Sequence, residues 1–254
     1  MGLSDPELRR KISDKPFFIA EGLEVVRRLL ISGLTVRSVM VAPNRLERLR
    51  PSLENVTCPV YVAERPVISA TVGYAIHRGV IASAFRPTPP NLDDVLRTQP
   101  KNGTRHRFAV FQGVNDHENL GAIARSAHAF GIDALILDPT CTDPYYRRCV
   151  RVSMGEILFL PVITMTMEDL FSNVHRHHGT VVALTPRRDA TPIKQVPFSR
   201  GPVAFVFGAE GYGLPDSTLQ SADYQARIPI VPAVDSLNVG HAAAVTFASS
   251  FNED

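Results

Sequence analysis

Residues 201–248 read GPVAFVFGAEGYGLPDSTLQSADYQARIPIVPAVDSLNVGHAAAVTFA. Val203 to Phe207 is a continuous apolar run, the mark of a strand buried on both faces. It passes directly into Gly208-Ala209-Glu210-Gly211-Tyr212-Gly213. Three glycines in six residues let a backbone turn tightly or come close to a ligand. A second short strand is expected at Arg227-Ile228-Pro229-Ile230. A proline-containing loop with Asp235 then leads to Ser236-Leu237-Asn238, where a small-residue helix is expected to start with Ser236 as its N-cap. Ala242, Ala243 and Ala244 keep that helix slim enough for another backbone to pack on it. The glycine order is G-x-x-G-x-G, so the dinucleotide fingerprint G-x-G-x-x-G is not met. Taken alone, the stretch also fits an ordinary turn-rich end of an α/β domain.

Working outward, the stretch Asn115 to Gly131 reads NDHENLGAIARSAHAFG. A strand at Phe108–Gln112 precedes it. Asn119 can cap a helix running to Phe130, with Ile123, Ala127 and Phe130 on one apolar face. Arg125 lies inside that helix, and an arginine among alanines is ordinarily solvated. Further strands are expected at Ala134–Leu137, Pro161–Ile163 and Val181–Leu184. Helices are expected at Tyr146–Ser153 and Glu168–His177. This alternation predicts an α/β fold, a parallel sheet with helices on both faces, over residues 106–254.

Residues 1–86 form a smaller α/β pattern. A helix is expected within Phe17–Ile31, with Leu23, Val26, Leu30 and Ile31 on one face. Strands follow at Val36–Val41, Val60–Val62 and Gly79–Ala84, with helices at Leu46–Leu53 and Val67–Val72. Residues 87–105 are rich in Pro, Asn, Asp and Thr and read as a linker with one helical turn at Leu92–Leu96.

At 254 residues and 44% hydrophobic content, the chain can build a real core. No apolar run is long enough to span a bilayer, so no membrane partner is expected. The charged opening MGLSDPELRRKISDKP lacks the apolar centre of a signal peptide. Three scattered cysteines suggest neither disulfides nor zinc and fit a reducing cytoplasm. His175, His177 and His178 lack partners at ligand spacing, so no metal is expected. Residues 1–90 carry 13 Lys/Arg against 8 Asp/Glu, and residues 91–254 carry 14 against 17. The basic front half suits phosphate. Tyr145-Tyr146-Arg147-Arg148-Cys149-Val150-Arg151 mixes aromatic and arginine residues. That suits RNA through Arg147, Arg148 and Arg151, or simply a solvated helix start.

Three segments in order carry a family likeness: N-L-G-A-I-A-R-S-A-H-A-F-G at 119–131, V-F-G-A-E-G-Y-G-L at 206–214, and I-P-I at 228–230 with S-L-N-V at 236–239. Together they resemble the motifs of the SpoU (TrmH) RNA 2′-O-ribose methyltransferases, of the SPOUT class, over about residues 105–250. The resemblance implies a C-terminal deep trefoil knot, a topology rare among folds. It also implies S-adenosyl-L-methionine as cofactor, an RNA substrate and a homodimer. The segments F-F-I-A-E-G-L-E-V-V-R-R-L-L and H-R-G-V-I-A resemble the ribosomal-protein-like RNA-binding domain that precedes many such catalytic domains. His77 and Arg78 would then touch RNA, although His77 is equally an ordinary turn residue.

The resemblance further implies main-chain cofactor contacts at Gly208, Ile228 and Leu237, and Thr185, just past its strand, is a further candidate. It makes Arg125 catalytic. A guanidinium is always protonated in proteins, so a clamp on phosphate and on the developing 2′-oxyanion suits Arg125 better than a general base. Asn119 would orient Arg125 or the ribose, Glu210 would position these two, and Ser236 and Asn238 would close the site. Ala209 stands where the family often has Asn or Ser. His241 can be structural or face the cofactor. The separate basic front domain favours ribosomal RNA. A tRNA 2′-O-methyltransferase, a resistance-type ribosomal RNA methyltransferase and a non-catalytic RNA-binding protein are the alternatives.

Overall fold

The computed structural model describes residues 16–103, 105–198 and 201–251. They divide into two compact units: the described residues up to Thr88 with Tyr145–Phe159, and Pro89–Pro144 with those from Leu160 onward. Residues 145–159, expected from the sequence inside the 106–254 block, therefore cluster with the first unit.

The first unit contains β1 (Phe17–Glu21), α1 (Leu23–Ile31), β2 (Val36–Val41), α2 (Pro43–Leu53), β3 (Val60–Val62), α3 (Arg65–Val72) and β4 (Val80–Phe85). Its sheet runs β1-β4-β2-β3, with only β2 and β3 parallel. The helix expected within Phe17–Ile31 is preceded by a strand that the helical reading did not separate. Phe18 and Ala20 are fully buried where β1 pairs with β4, and Gly22 at φ 105° breaks the strand from α1. The buried face of α1 is Val25, Val26 and Leu29, while Ile31, expected inside, is 74% exposed.

Side chains bind 145–159 to this unit. The rings of Phe18 and Tyr145 lie 5.4 Å apart. Arg28 donates to the Met154 carbonyl at 2.7 Å and pairs with Glu156 at 2.9 Å. In the short helix that follows Tyr146, the Arg147 guanidinium sits 3.8 Å above the Tyr74 ring and 3.5 Å from the Glu21 carboxylate.

The second unit is a seven-stranded, wholly parallel sheet. In chain order its helices and strands are α4 (Leu92–Leu96), β5 (Arg107–Gln112), α5 (His117–Ala129), β6 (Ala134–Leu137), α6 being the Arg147–Val152 helix of the other unit, β7 (Val162–Thr164), α7 (Met167–Arg176), β8 (Thr180–Leu184), β9 (Thr191–Pro192), β10 (Val203–Gly208), α8 (Asp216–Ser221), β11 (Tyr224–Arg227) and α9 (Val239–Ser249). The strand order is β7-β6-β5-β10-β8-β11-β9. Strand alternation sends Phe108, Val110, Ala204 and Val206 to one face, against Leu170 and Val174 of α7. It leaves Phe111 and Phe207 for the other, where their rings stack at 5.3 Å and Phe207 meets Phe247 of α9 edge-on at 5.8 Å.

The strand expected at Arg227–Ile230 lies instead at Tyr224–Arg227, where Ala226 pairs with Leu184 of β8 and with Thr191 of β9. Pro229 has no N–H to give a ladder, so the chain leaves the sheet before it. At the opposite end of the sheet, Arg107 is buried, 3% exposed. Its Nη1 donates to the carbonyls of Phe247 and Ser250, and its Nη2 to those of Phe130 and Gly131. One guanidinium thus meets the last carbonyls of both α5 and α9, where a positive charge is favoured by the helix dipole. Burial lowers its pKa, and nearby Asp133 works against that shift. Among the described residues no helix is long and apolar enough to cross a membrane.

Candidate active site

Two helices packed on each other, α5 and α9, enter the site at their N-termini. At α5 the cap is Asp116, not Asn119. Its Oδ1 accepts from the backbone N–H of Glu118 at 2.6 Å and of Asn119 at 3.0 Å. An aspartate before the first turn satisfies donors that the helix cannot. The Asn119 side chain is left free for other work. At α9 the cap is Asn238, not Ser236. Its Oδ1 accepts from Gly240 N at 2.8 Å and His241 N at 3.4 Å.

The Asn238 amide nitrogen donates to Asn119 Oδ1 at 2.9 Å and to Glu210 Oε1 at 2.6 Å. The orientation of this amide is chemically determined. Its oxygen meets two N–H donors, and its nitrogen meets two oxygens. Asn238 therefore joins three chain segments through one planar group.

These residues border a cavity of about 360 Å³. One wall is Leu184, the last residue of β8, with Thr185 and Pro186 just beyond it. The floor is Phe207 and Gly208, and the 209–213 loop forms a second wall. Ile228, Ile230 and Ser236–Asn238 close the far side, with Val239 and Ala242 of α9. The volume lies within the range of small-molecule sites, which join apolar walls to a few placed polar groups. The site sits beyond the C-terminal ends of parallel strands, where open α/β sheets bind ligands. Among the described residues, no hydrogen bond uses the backbone of Ile228 or Leu237. Both peptide units keep donor and acceptor capacity at the cavity wall. Apolar side chains there can hold a flat heteroaromatic ring while the peptide groups read its edge, so the walls fit an adenosine-bearing cofactor.

Gly208 has a reason of its own. A Cβ at this position would overlap the Gly213 carbonyl carbon and the Leu214 nitrogen. The close approach it permits is by the chain's own loop, which returns at the Gly213 N–H to Ala209 O bond of 3.0 Å.

The cavity thus brings together Gly208, Ile228, Leu237, Thr185, Glu210, Ser236 and Asn238, and Asn119 joins them through Asn238. Arg125 is exposed on α5, and its side chain makes no hydrogen bond or ion pair among the described residues, nor does it line the cavity. His77 and Arg78 lie in the other unit, lining a cleft of about 300 Å³ with Arg45, Arg48 and the first turn of α1. Arg147, Arg148 and Arg151 also belong to that unit, on α6. Pattern reading missed Pro186, Ile230 and Ala242 as wall residues. Ile230 was read as strand, and Ala242 only as a slim helix face. His175 pairs with Asp223 at 3.1 Å and His177 with Asp93 at 3.0 Å, so these histidines serve separate carboxylates.

The profile of the SpoU rRNA Methylase family matches residues 106–248. An uncharacterized tRNA/rRNA methyltransferase of Mycobacterium bovis is 37% identical over 236 residues, covering 92% of this chain and 80% of its own. The AdoMet-bound rRNA methyltransferase of Sinorhizobium meliloti superposes with a TM-score of 0.75 at 26% identity, over 92% of this chain and 86% of its own. The crystal structure of an RNA 2′-O ribose methyltransferase gives 0.74 at 26% identity, over 92% and 87%. With the match spanning β5, α5, the glycine loop and the helix that Asn238 caps, the chain belongs to the SpoU rRNA methylase family.

Proposed function

We propose that the chain is an S-adenosyl-L-methionine-dependent RNA 2′-O-ribose methyltransferase, with ribosomal RNA as substrate. The observation that carries this reading is the Asn238 amide, which ties Asn119 and Glu210 together on the wall of a cavity suited to adenosine. A protein that only bound RNA would have no use for that arrangement. The same reading takes the excursion from β10 out to β11 and back along α9 as a deep trefoil knot. It takes the first unit as an RNA-binding domain, through His77 and Arg78 and through Arg147, Arg148 and Arg151. It takes the working form as a cytoplasmic homodimer.

Ile228 and Leu237 hold the adenine edge through their peptide groups, Thr185 adds a side-chain contact, and Gly208 keeps the loop tight beneath. When bound, the cofactor supplies an electrophilic methyl group on sulfur. Arg125 clamps the phosphate beside the target ribose and steadies negative charge on the 2′-oxygen. Its planar, permanently charged fork suits both tasks. The hydroxyl proton leaves to the phosphate or to water. Asn119, held by Asn238, orients the ribose, and Ser236 Oγ offers a further hydrogen bond.

The test is transfer of tritiated methyl from S-adenosyl-L-methionine to total RNA, followed by alkaline hydrolysis. A 2′-O-methyl group blocks cleavage of the next linkage. Label should therefore emerge in alkali-resistant dinucleotides, and within the ribosomal RNA fraction. Label in mononucleotides would mean base methylation. Label in tRNA would reassign the substrate, and no label would favour a binding protein.

A further inference from the structure

The loop that walls the cavity between β10 and α8 carries Tyr212 outside the cavity wall. Tyr212 is 98% exposed, the most exposed large apolar residue among those described. It stands between Gly211 at φ 88° and Gly213 at φ 68°, both in the left-handed region. Added Cβ atoms at these two glycines would meet nothing within 4 Å, so open space surrounds the tip. The loop's base is closed by the Gly213 N–H to Ala209 O bond of 3.0 Å. Among the described residues Tyr212 makes no hydrogen bond and no ring contact.

Its position gives the exposure a meaning. Glu210, Gly211 and Gly213 all line the cavity, while Tyr212 is absent from its wall. Glu210, two residues earlier, is one of the acceptors of the Asn238 amide. A ribose at the cavity mouth would carry its base outside the cavity, because the adenosine-shaped space is taken. A base drawn out of its helix needs a flat apolar surface to replace the stacking it has lost. Proteins that read unstacked RNA bases provide aromatic rings for this purpose. Stacking accepts any base, since each has a π-face.

Resting on the function proposed above, we propose that Tyr212 is the stacking platform for the nucleobase of the target nucleotide, a substrate-positioning residue displayed on the glycine loop. The paired left-handed glycines let the ring turn onto the base while Glu210 stays on Asn238.

The chain contains no tryptophan, so Tyr212→Trp creates a single fluorescent reporter. Adding total RNA to this variant, with cofactor saturating, should quench its emission. In single-turnover methyl transfer to the same RNA, Tyr212→Ala should lose about tenfold or more in kcat/KM, and Tyr212→Phe should stay near wild type. Cofactor Kd and sedimentation coefficient should be unchanged in all three variants. Four results would overturn the proposal: unquenched emission, an alanine variant as active as wild type, a weakened cofactor Kd that makes the ring a cofactor lid, or an altered oligomer that makes it a subunit contact. Absence of transfer by the wild-type protein would remove the underlying function and this role with it. A fully active alanine variant would remove this role alone.

Discussion

Helices α5 and α9 begin alike and differ in what their caps do next. Asp116 takes two backbone N–H groups at α5, and Asn238 takes two at α9. As acceptors the two side chains are equivalent. Asn238 also has an amide nitrogen, and spends it on Asn119 and Glu210. A carboxylate could not make those two bonds. The same residue class caps both helices, and at Asn238 the donor half of the amide also joins Asn119 and Glu210.

The largest expected effect asks whether α5 is more than scaffold. Arg125→Ala should lower single-turnover methyl transfer by about 10²–10³-fold, with cofactor binding and thermal midpoint close to wild type. Arg125→Lys separates clamp from base. A clamp predicts poor transfer at every pH, whereas a general base predicts recovery as the lysine deprotonates at alkaline pH. Unimpaired transfer in the alanine variant would reduce α5 to support.

Next comes the comparison itself. Asn238→Asp keeps the cap and removes both donors. It sets a second carboxylate against Glu210, and like charges at that range favour uptake of a proton by the pair. Methyl transfer should fall by about 10²-fold at neutral pH and recover in part as the pH is lowered, with little change in thermal stability. If the variant melts early instead, Asn238 is mainly a cap and the contrast with Asp116 disappears.

A smaller effect is expected at Gly208→Val, which pushes the 209–213 loop away from β10. Overpacking of this kind typically costs about 1–3 kcal/mol. Calorimetry should show weaker cofactor binding together with a lower melting temperature. Weaker binding at an unchanged melting temperature would mean that the added side chain meets the cofactor rather than the loop. The smallest effect belongs to Asp116→Asn, another good cap. Stability should shift by less than about 0.5 kcal/mol and transfer should be unaffected. A large loss of transfer would place Asp116 in the chemistry and erase the distinction.

The central strands of the second unit were legible because burial on both faces leaves continuous apolar runs, as at Val203–Phe207. The cavity residues Gly208, Ile228 and Leu237 came from motif likeness, since no periodicity marks a peptide group left without a partner. The caps were misassigned by two or three residues because Asp116, Asn119, Ser236 and Asn238 are all good caps, and only the tertiary position of each helix end selects among them. The β1 strand was hidden by the apolar residues of Phe17–Ile31, whose separation into strand and helix depends on pairing with Ile81–Phe85. Nothing local in 145–159 shows that Arg147 will lie on Tyr74 and Arg28 on Glu156. That grouping bears on experiment, because deleting residues 1–86 would strip 145–159 of these partners.

The buried Arg107 meets carbonyls at the ends of both α5 and α9. The N-terminal end of α5 carries Asn119 on one side of the site, and Asn238 caps α9 on the other. In hydrogen-exchange terms, the last turns of the two helices should open together, as one cooperative unit, rather than fray independently. The spacing between Asn119 and Asn238 at the opposite helix ends is then governed in part by a buried side chain that is absent from the cavity wall.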